Sequence, residues 1–146
     1  MRPIPKTYFV TANIAGRRTL LQNDAHAALL TRLTFEYRDD GRYFLHAMVV
    51  MPDHLHALIT PSYNHTLDRC LACIKGGFAQ AIGSPHQAVT AIWRKGFQRE
   101  LMRHSEDYVR CRSRIAQNPE GWGLRDHRHV HVSGPHLDPM PRYLSI

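Results

Sequence analysis

Apolar and polar residues alternate from Lys6 to Ile14, with Tyr8 and Val10 on one side and Phe9 on the other. This period of two predicts a first strand, closed by Gly16-Arg17-Arg18. The spacing then lengthens, because Leu29, Leu33 and Tyr37 recur every four residues. A helix is expected there, capped by Asn23 or Asp24 and stopped at Asp39-Asp40-Gly41. Tyr43 to Met51 is nearly continuously apolar and reads as a buried strand. Pro52-Asp53 supplies turn chemistry, and His54 to Thr60 follows as the second strand of a tight hairpin. From Thr66 to Ile82 the pattern is helical again, weakened at Gly76 and Gly77 by roughly 1 kcal/mol each and ended by Gly83-Ser84-Pro85. Ala91 to Met102, with Ile92, Trp93 and Phe97, predicts a fourth strand. A third helix starts at Ser105, whose hydroxyl is placed to cap it, and closes at Asn118-Pro119.

The order strand, helix, strand, strand, helix, strand, helix predicts an α+β chain of the ferredoxin-like split type. Its antiparallel sheet carries helices on one face, with an extra C-terminal helix and then an irregular tail. The expected division is a domain over residues 1–124 and a polar tail over 125–146 that contains His and Pro. A length of 146 residues suits one hydrophobic core, and 43% hydrophobic residues argue against global disorder. No apolar run approaches the ~20 residues of a membrane span, and the first residues lack a secretory pattern. A cytoplasmic protein with no membrane partner is the expectation.

Charge narrows the field. Nineteen Lys+Arg against twelve Asp+Glu give +7, before any contribution from eleven histidines. Only Lys6, Lys75 and Lys95 are lysines, so sixteen of the basic residues are arginines, whose rigid fork suits phosphate. A polyanionic partner follows from this balance, although a coding bias towards arginine gives the same composition. Three cysteines make no disulfide framework. Cys70 shares a helical face with Leu67, Leu71, Ile74 and Phe78 and reads as core.

The sharpest local feature is Met51-Pro52-Asp53-His54-Leu55-His56. On a strand, His54 and His56 project from the same face and can offer two imidazoles to one metal ion, while Leu55 turns to the core. His129-x-His131 has the same spacing in a poorly patterned region, so spacing alone does not distinguish the pairs. The hairpin setting of the first pair does.

Three segments together resemble one family. Val49 to Leu58 is similar to the His-hydrophobe-His motif of the single-tyrosine (HUH) transposases, in particular the REP-associated tyrosine transposases. Ile92-Trp93-Arg94-Lys95-Gly96-Phe97 resembles their Trp-x-x-Gly-Phe segment, and Ile115-Ala116-Gln117-Asn118-Pro119 resembles their Tyr-Ile-x-Asn-Asn-Pro helix end. The resemblance implies metal-dependent cleavage and strand transfer of single-stranded or hairpin DNA in transposition. It also implies Mg²⁺ or Mn²⁺ on His54, His56 and Asn118, and a tyrosine nucleophile on the last helix. A homodimer is one assembly open to such a chain.

The position that the resemblance assigns to the tyrosine is Arg114. A guanidinium cannot attack phosphorus, but it can hold a phosphate. The substitute nucleophiles are Tyr108 and Tyr143. Tyr108 is six residues earlier on the same helix, about 9 Å along its axis, in a stripe with Cys111 and Ile115 that reads as core; Tyr143 is in the tail. Between Arg94 and Arg114 seven basic residues face three acids, and Trp93 and Phe97 offer either stacking faces or core. The DNA-contact set is Lys75, Arg94, Lys95, Arg99 and Arg114. Two other readings stay open: a nucleic-acid-binding module without catalysis, and a metal-assisted phosphodiesterase that uses water.

Overall fold

A computed structural model describes residues 5–83, 89–121 and 129–144. The expected domain boundary at residue 124 and the Ser84-Pro85 stop lie outside the described residues. Five strands form one antiparallel sheet: β1 (Tyr8–Asn13), β2 (Tyr43–Met51), β3 (His54–Pro61), β4 (Gln98–Leu101) and β5 (Val130–His131), in the order β4-β1-β3-β2-β5. The helices are α1 (Asp24–Asp39), α2 (Leu67–Ile82), the short α3 (Val89–Ile92) and α4 (Ser105–Gly121). This is the expected α+β split arrangement, and the first four strands carry it.

Alternation along each strand divides the interior in two. Val10, Ala12, Val50, Leu55, Ala57 and Ile59 face α1 and α2, where they pack on Leu30, Leu71, Ile74 and Phe78. Phe9, Ala47, Val49, Met51 and Leu58 face the other way, against Tyr108, Cys111 and Ile115 of α4. The extra helix thus covers the second face of the sheet. Asn23 caps α1 by accepting from the His26 amide at 3.1 Å. Gly77 marks a close approach of the helices: a Cβ there would lie 2.2 Å from the Tyr37 hydroxyl of α1, so that side chain would have to shift. No helix among the described residues is long and apolar enough to cross a membrane.

Three expectations change. The fourth strand is shorter than Ala91–Met102: α3 occupies its start, Trp93 bridges Ile14, and Gly96 at φ +76° breaks the path before Gln98. At α4, Asp107 accepts from the amides of Arg103 and His104 at 3.0 Å each, so the carboxylate two residues after Ser105 satisfies the leading N–H groups. Pro119 lies inside the last turn, and the helix continues to Gly121.

The described part of the tail, residues 129–144, packs onto the fold. Val130 and His131 pair with Val49 and Met48. Asp138 then straps the chain down: one carboxylate oxygen accepts from the Leu45 amide at 2.7 Å, and both accept from Arg38 at 2.9 and 3.2 Å. A last helical turn at Arg142–Leu144 buries Leu144 and sets the Tyr143 hydroxyl 2.6 Å from the Thr7 amide, which donates to it. Composition concealed this, since the anchors are single polar residues rather than an apolar run.

Candidate metal centre and nucleic-acid face

The Met51–His54 pairing closes the hairpin over Pro52-Asp53 and starts β3 with His54 on the α4 face. His56 follows on the same face, half-buried, and the two imidazole centroids lie 4.5 Å apart. Each ring is held through Nδ1. The Asp53 carboxylate lies 2.6 Å from Nδ1 of His54, and the Thr11 hydroxyl lies 2.9 Å from Nδ1 of His56. Engaging Nδ1 in this way presents Nε2 as the metal-binding nitrogen and fixes the ring orientation. Phe9 stacks on His56 at 5.0 Å and backs it with apolar surface.

Burial, the neighbouring His54 and the Arg114 cation push the His56 pKa down to about 3. His56 is therefore neutral, the form that donates a lone pair, across the physiological range. The Arg114 guanidinium lies 4.9 Å from the Phe9 ring centroid, on the same side as His56, and its side chain is exposed. Asn118 sits one turn further along α4. Register adds Asn13, opposite His54, and Gln98, opposite Thr11, to the same face. Among the described residues, no three histidine, cysteine or carboxylate side chains converge as a metal cage. The donors that the structure brings together are two oriented imidazoles, a pair suited to a borderline divalent ion that keeps open positions.

Basic residues separate into two groups. Arg94 and Lys95 are exposed on a loop whose Arg94 amide bonds the Asn13 carbonyl at 2.8 Å, which puts the loop beside the histidine end of the sheet. Arg114 belongs with them. Arg99 extends from the opposite face of β4, pairs with Asp68 of α2 at 2.7 Å and covers the Phe97 ring at 4.7 Å. Lys75 is buried, and its ammonium donates to the carbonyls of Arg94 and Gly96 at 3.0 and 2.8 Å. Lys75 therefore presents no charge to a phosphate; it anchors the 94–96 loop. Trp93 is likewise core, fully buried with its indole N–H on the Lys75 carbonyl at 3.1 Å.

Neither substitute tyrosine stands at the pair. Tyr108 is buried against His46, whose ring lies 5.5 Å away, and Tyr143 is tied to Thr7. Thr7 is four residues from Thr11 along β1, roughly 13 Å. Sequence reasoning missed Thr11 and Asp53. Asp53 was detectable as a carboxylate next to the motif, whereas Thr11 required the strand register.

A model of the IS200-like transposases matches residues 7–110, and the chain belongs to that family. The match includes both histidines and ends inside α4, before Arg114. Among curated proteins the chain is similar to the REP-associated tyrosine transposase of Escherichia coli K12. The two are 28% identical over 119 residues, which cover 80% of this chain and 68% of that protein. Among solved structures it resembles a REP-associated tyrosine transposase bound to a REP hairpin, with TM-score 0.72, 24% identity, and coverage of 89% of this chain and 78% of that one. A crystal structure described as a candidate transposase of Deinococcus radiodurans R1 shares the fold at TM-score 0.56 and 19% identity, over 83% of this chain and 94% of that one.

Proposed function

We propose that this chain binds single-stranded or hairpin DNA on the α4 face and acts there on a phosphodiester, with Mg²⁺ or Mn²⁺ held by His54 and His56 and by Asn118. The observation that carries the reading is the adjacent imidazole pair, each ring oriented through Nδ1 by its own partner, in an IS200-like chain. When bound, the ion supplies charge neutralisation at a phosphoryl oxygen. The protein's part is positional. Asp53 and Thr11 hold the rings, Arg114 takes a phosphate from the same side, and Arg94 and Lys95 follow the backbone.

The placement of Tyr108 and Tyr143 favours a second reading of the chemistry. With Arg114 on the helix and both tyrosines packed elsewhere, water is the nucleophile in a metal-assisted phosphodiesterase. The test combines Mn²⁺ titration with a labelled hairpin oligonucleotide. His54→Ala with His56→Ala should remove tight Mn²⁺ binding and leave the protein folded; unchanged Mn²⁺ affinity would sink the metal site. Strand scission without a protein–DNA adduct supports water, and an adduct supports a tyrosine.

A further inference from the structure

Cys70 and Cys73 belong to α2, and the histidine site uses neither. Residues three apart on a helix are separated by about 5 Å at Cα, inside the ~4.4–6.8 Å that disulfides usually span, and their side chains share one face. Both thiols are free. Their surroundings differ. Cys70 is buried, its thiol donates to the Arg42 carbonyl at 3.6 Å, and burial pushes its pKa up to about 12. Cys73 is half-buried at the rim of the same face, and its Sγ accepts from the Arg42 guanidinium at 3.3 Å. That guanidinium lies 5.5 Å from the Tyr37 ring centroid, and its buried Nε has no hydrogen-bond partner among the described residues. Arg42, immediately before β2, thus meets both sulfurs, one through its carbonyl and the other through its side chain.

We propose that Cys70 and Cys73 form a reversible dithiol–disulfide site that responds to hydroperoxides, with Cys73 reacting first and Cys70 resolving it. Cysteines that oxidise readily stand beside a cation and within reach of solvent, and Cys73 has both. Its sulfur, as thiolate, attacks the O–O bond and takes up OH, while the released alkoxide gains a proton and leaves as an alcohol or, from hydrogen peroxide, as water. Cys70 then attacks the sulfenic sulfur. The S–S bond forms, the S–O bond breaks, and the oxygen departs as water with the Cys70 proton, so the two thiols give two electrons to one peroxide. Cβ atoms three apart on a helix lie about 5–6 Å from each other, wider than the ~3.5–4.5 Å of a relaxed disulfide. The helix must tighten to close the bond, which is therefore readily reduced. Gly76 and Gly77, the weakest helix formers in α2, follow Cys73 closely and ease that adjustment. Closing the bond takes the Cys70 donor from the Arg42 carbonyl and draws Cys73 from the guanidinium, so oxidation loosens the turn between α1 and β2 from α2.

The experiment treats the folded full chain with hydrogen peroxide, blocks the remaining thiols under denaturing conditions and maps the products by peptide mass spectrometry. The wild type should yield a Cys70–Cys73 peptide lighter by two hydrogens, with Cys111 still a free thiol, and dithiothreitol should restore both thiols on the native protein. Cys70→Ser should stop at a Cys73 sulfenic acid that dimedone traps, whereas Cys73→Ser should slow oxidation of Cys70 by about tenfold or more. Arg42→Gln should slow the wild-type reaction about fivefold. Hydrogen exchange at the Ser62 amide, which donates to the Arg42 carbonyl at 3.1 Å, should accelerate on oxidation and recover on reduction. A wild type in which the two cysteines never link, or in which Cys111 oxidises as fast as they do, overturns the proposal. So does a Cys73→Ser variant whose Cys70 reacts at the wild-type rate, and an Arg42→Gln rate equal to or above that of the wild type counts against it as well.

Discussion

Asp53 and Thr11 show how much of a metal site is built by residues that are not themselves ligands. The carboxylate 2.6 Å from His54 Nδ1 orients that ring and fixes its tautomer, and partners of this kind are worth roughly 10–100-fold in metal affinity. Asp53→Asn, which keeps the turn, is expected to weaken Mn²⁺ binding by about that factor with little change in Tm; calorimetric titration beside thermal unfolding checks it. His-x-His was legible in the sequence because residues two apart on a strand share a face by geometry alone. Thr11 was not, being 45 residues away and brought in only by the Asn13↔His54 register. Arg114 gives a second prediction at this scale. Arg114→Tyr places a phenol on α4 beside Phe9 and His56, and it should produce a covalent protein–DNA adduct with single-stranded DNA in Mn²⁺, detected as a shifted band under denaturing conditions. A variant that binds the oligonucleotide and never forms adduct would count against the proposed site.

Periodicity located nearly every element because it reports burial, and burial decides which of these segments pack. β2 and β3 were plain for this reason, one almost wholly apolar and the other bounded by Pro52 and Pro61. Where single polar contacts decide, the pattern was silent. Lys75 looked like one more basic residue on α2, yet its ammonium closes the 94–96 loop through two carbonyls. The tail looked irregular, yet Asp138 fastens it to the bulge between Leu45 and Ala47 and thereby seats β5 on β2. Three charge-assisted hydrogen bonds meet that one half-buried carboxylate. Asp138→Ala should cost on the order of 2–3 kcal/mol and lower Tm by about 5–10 °C in a thermal melt. Hydrogen exchange should accelerate first at the Leu45 amide.

For the molecule as a whole, buried histidines couple stability to pH. Burial lowers the pKa of His46, and burial together with His129 lowers that of His131. The unfolded chain therefore binds protons that the folded chain refuses, and the stabilisation is complete above about pH 6.5, the unfolded histidine value, and lost as pH falls below it. His46 is tied through both ring nitrogens. Its Nδ1–H donates to the Asp138 carbonyl at 3.1 Å, and its Nε2 lies 2.8 Å from the Thr60 hydroxyl. Tm should drop between pH 7.5 and 5.5, and His46→Gln, which offers one donor and one acceptor without titrating, should make that dependence shallower, with His56 and His131 supplying the remainder. A slope equal to that of the wild type would exclude His46 as its source.

The pairing of β5 with β2 also carries a timing consequence during synthesis. β2 ends at Met51, and the residues that cover its outer edge are Val130 and His131, eighty positions later. At ~5–20 residues per second, a ribosome needs about 4–16 s to supply them. Throughout that interval the emerging domain has its most apolar strand open at one edge, where a neighbouring nascent chain can add a strand. Yield of monodisperse protein should therefore depend on elongation speed between codons 51 and 131, with slow stretches there favouring mispaired chains.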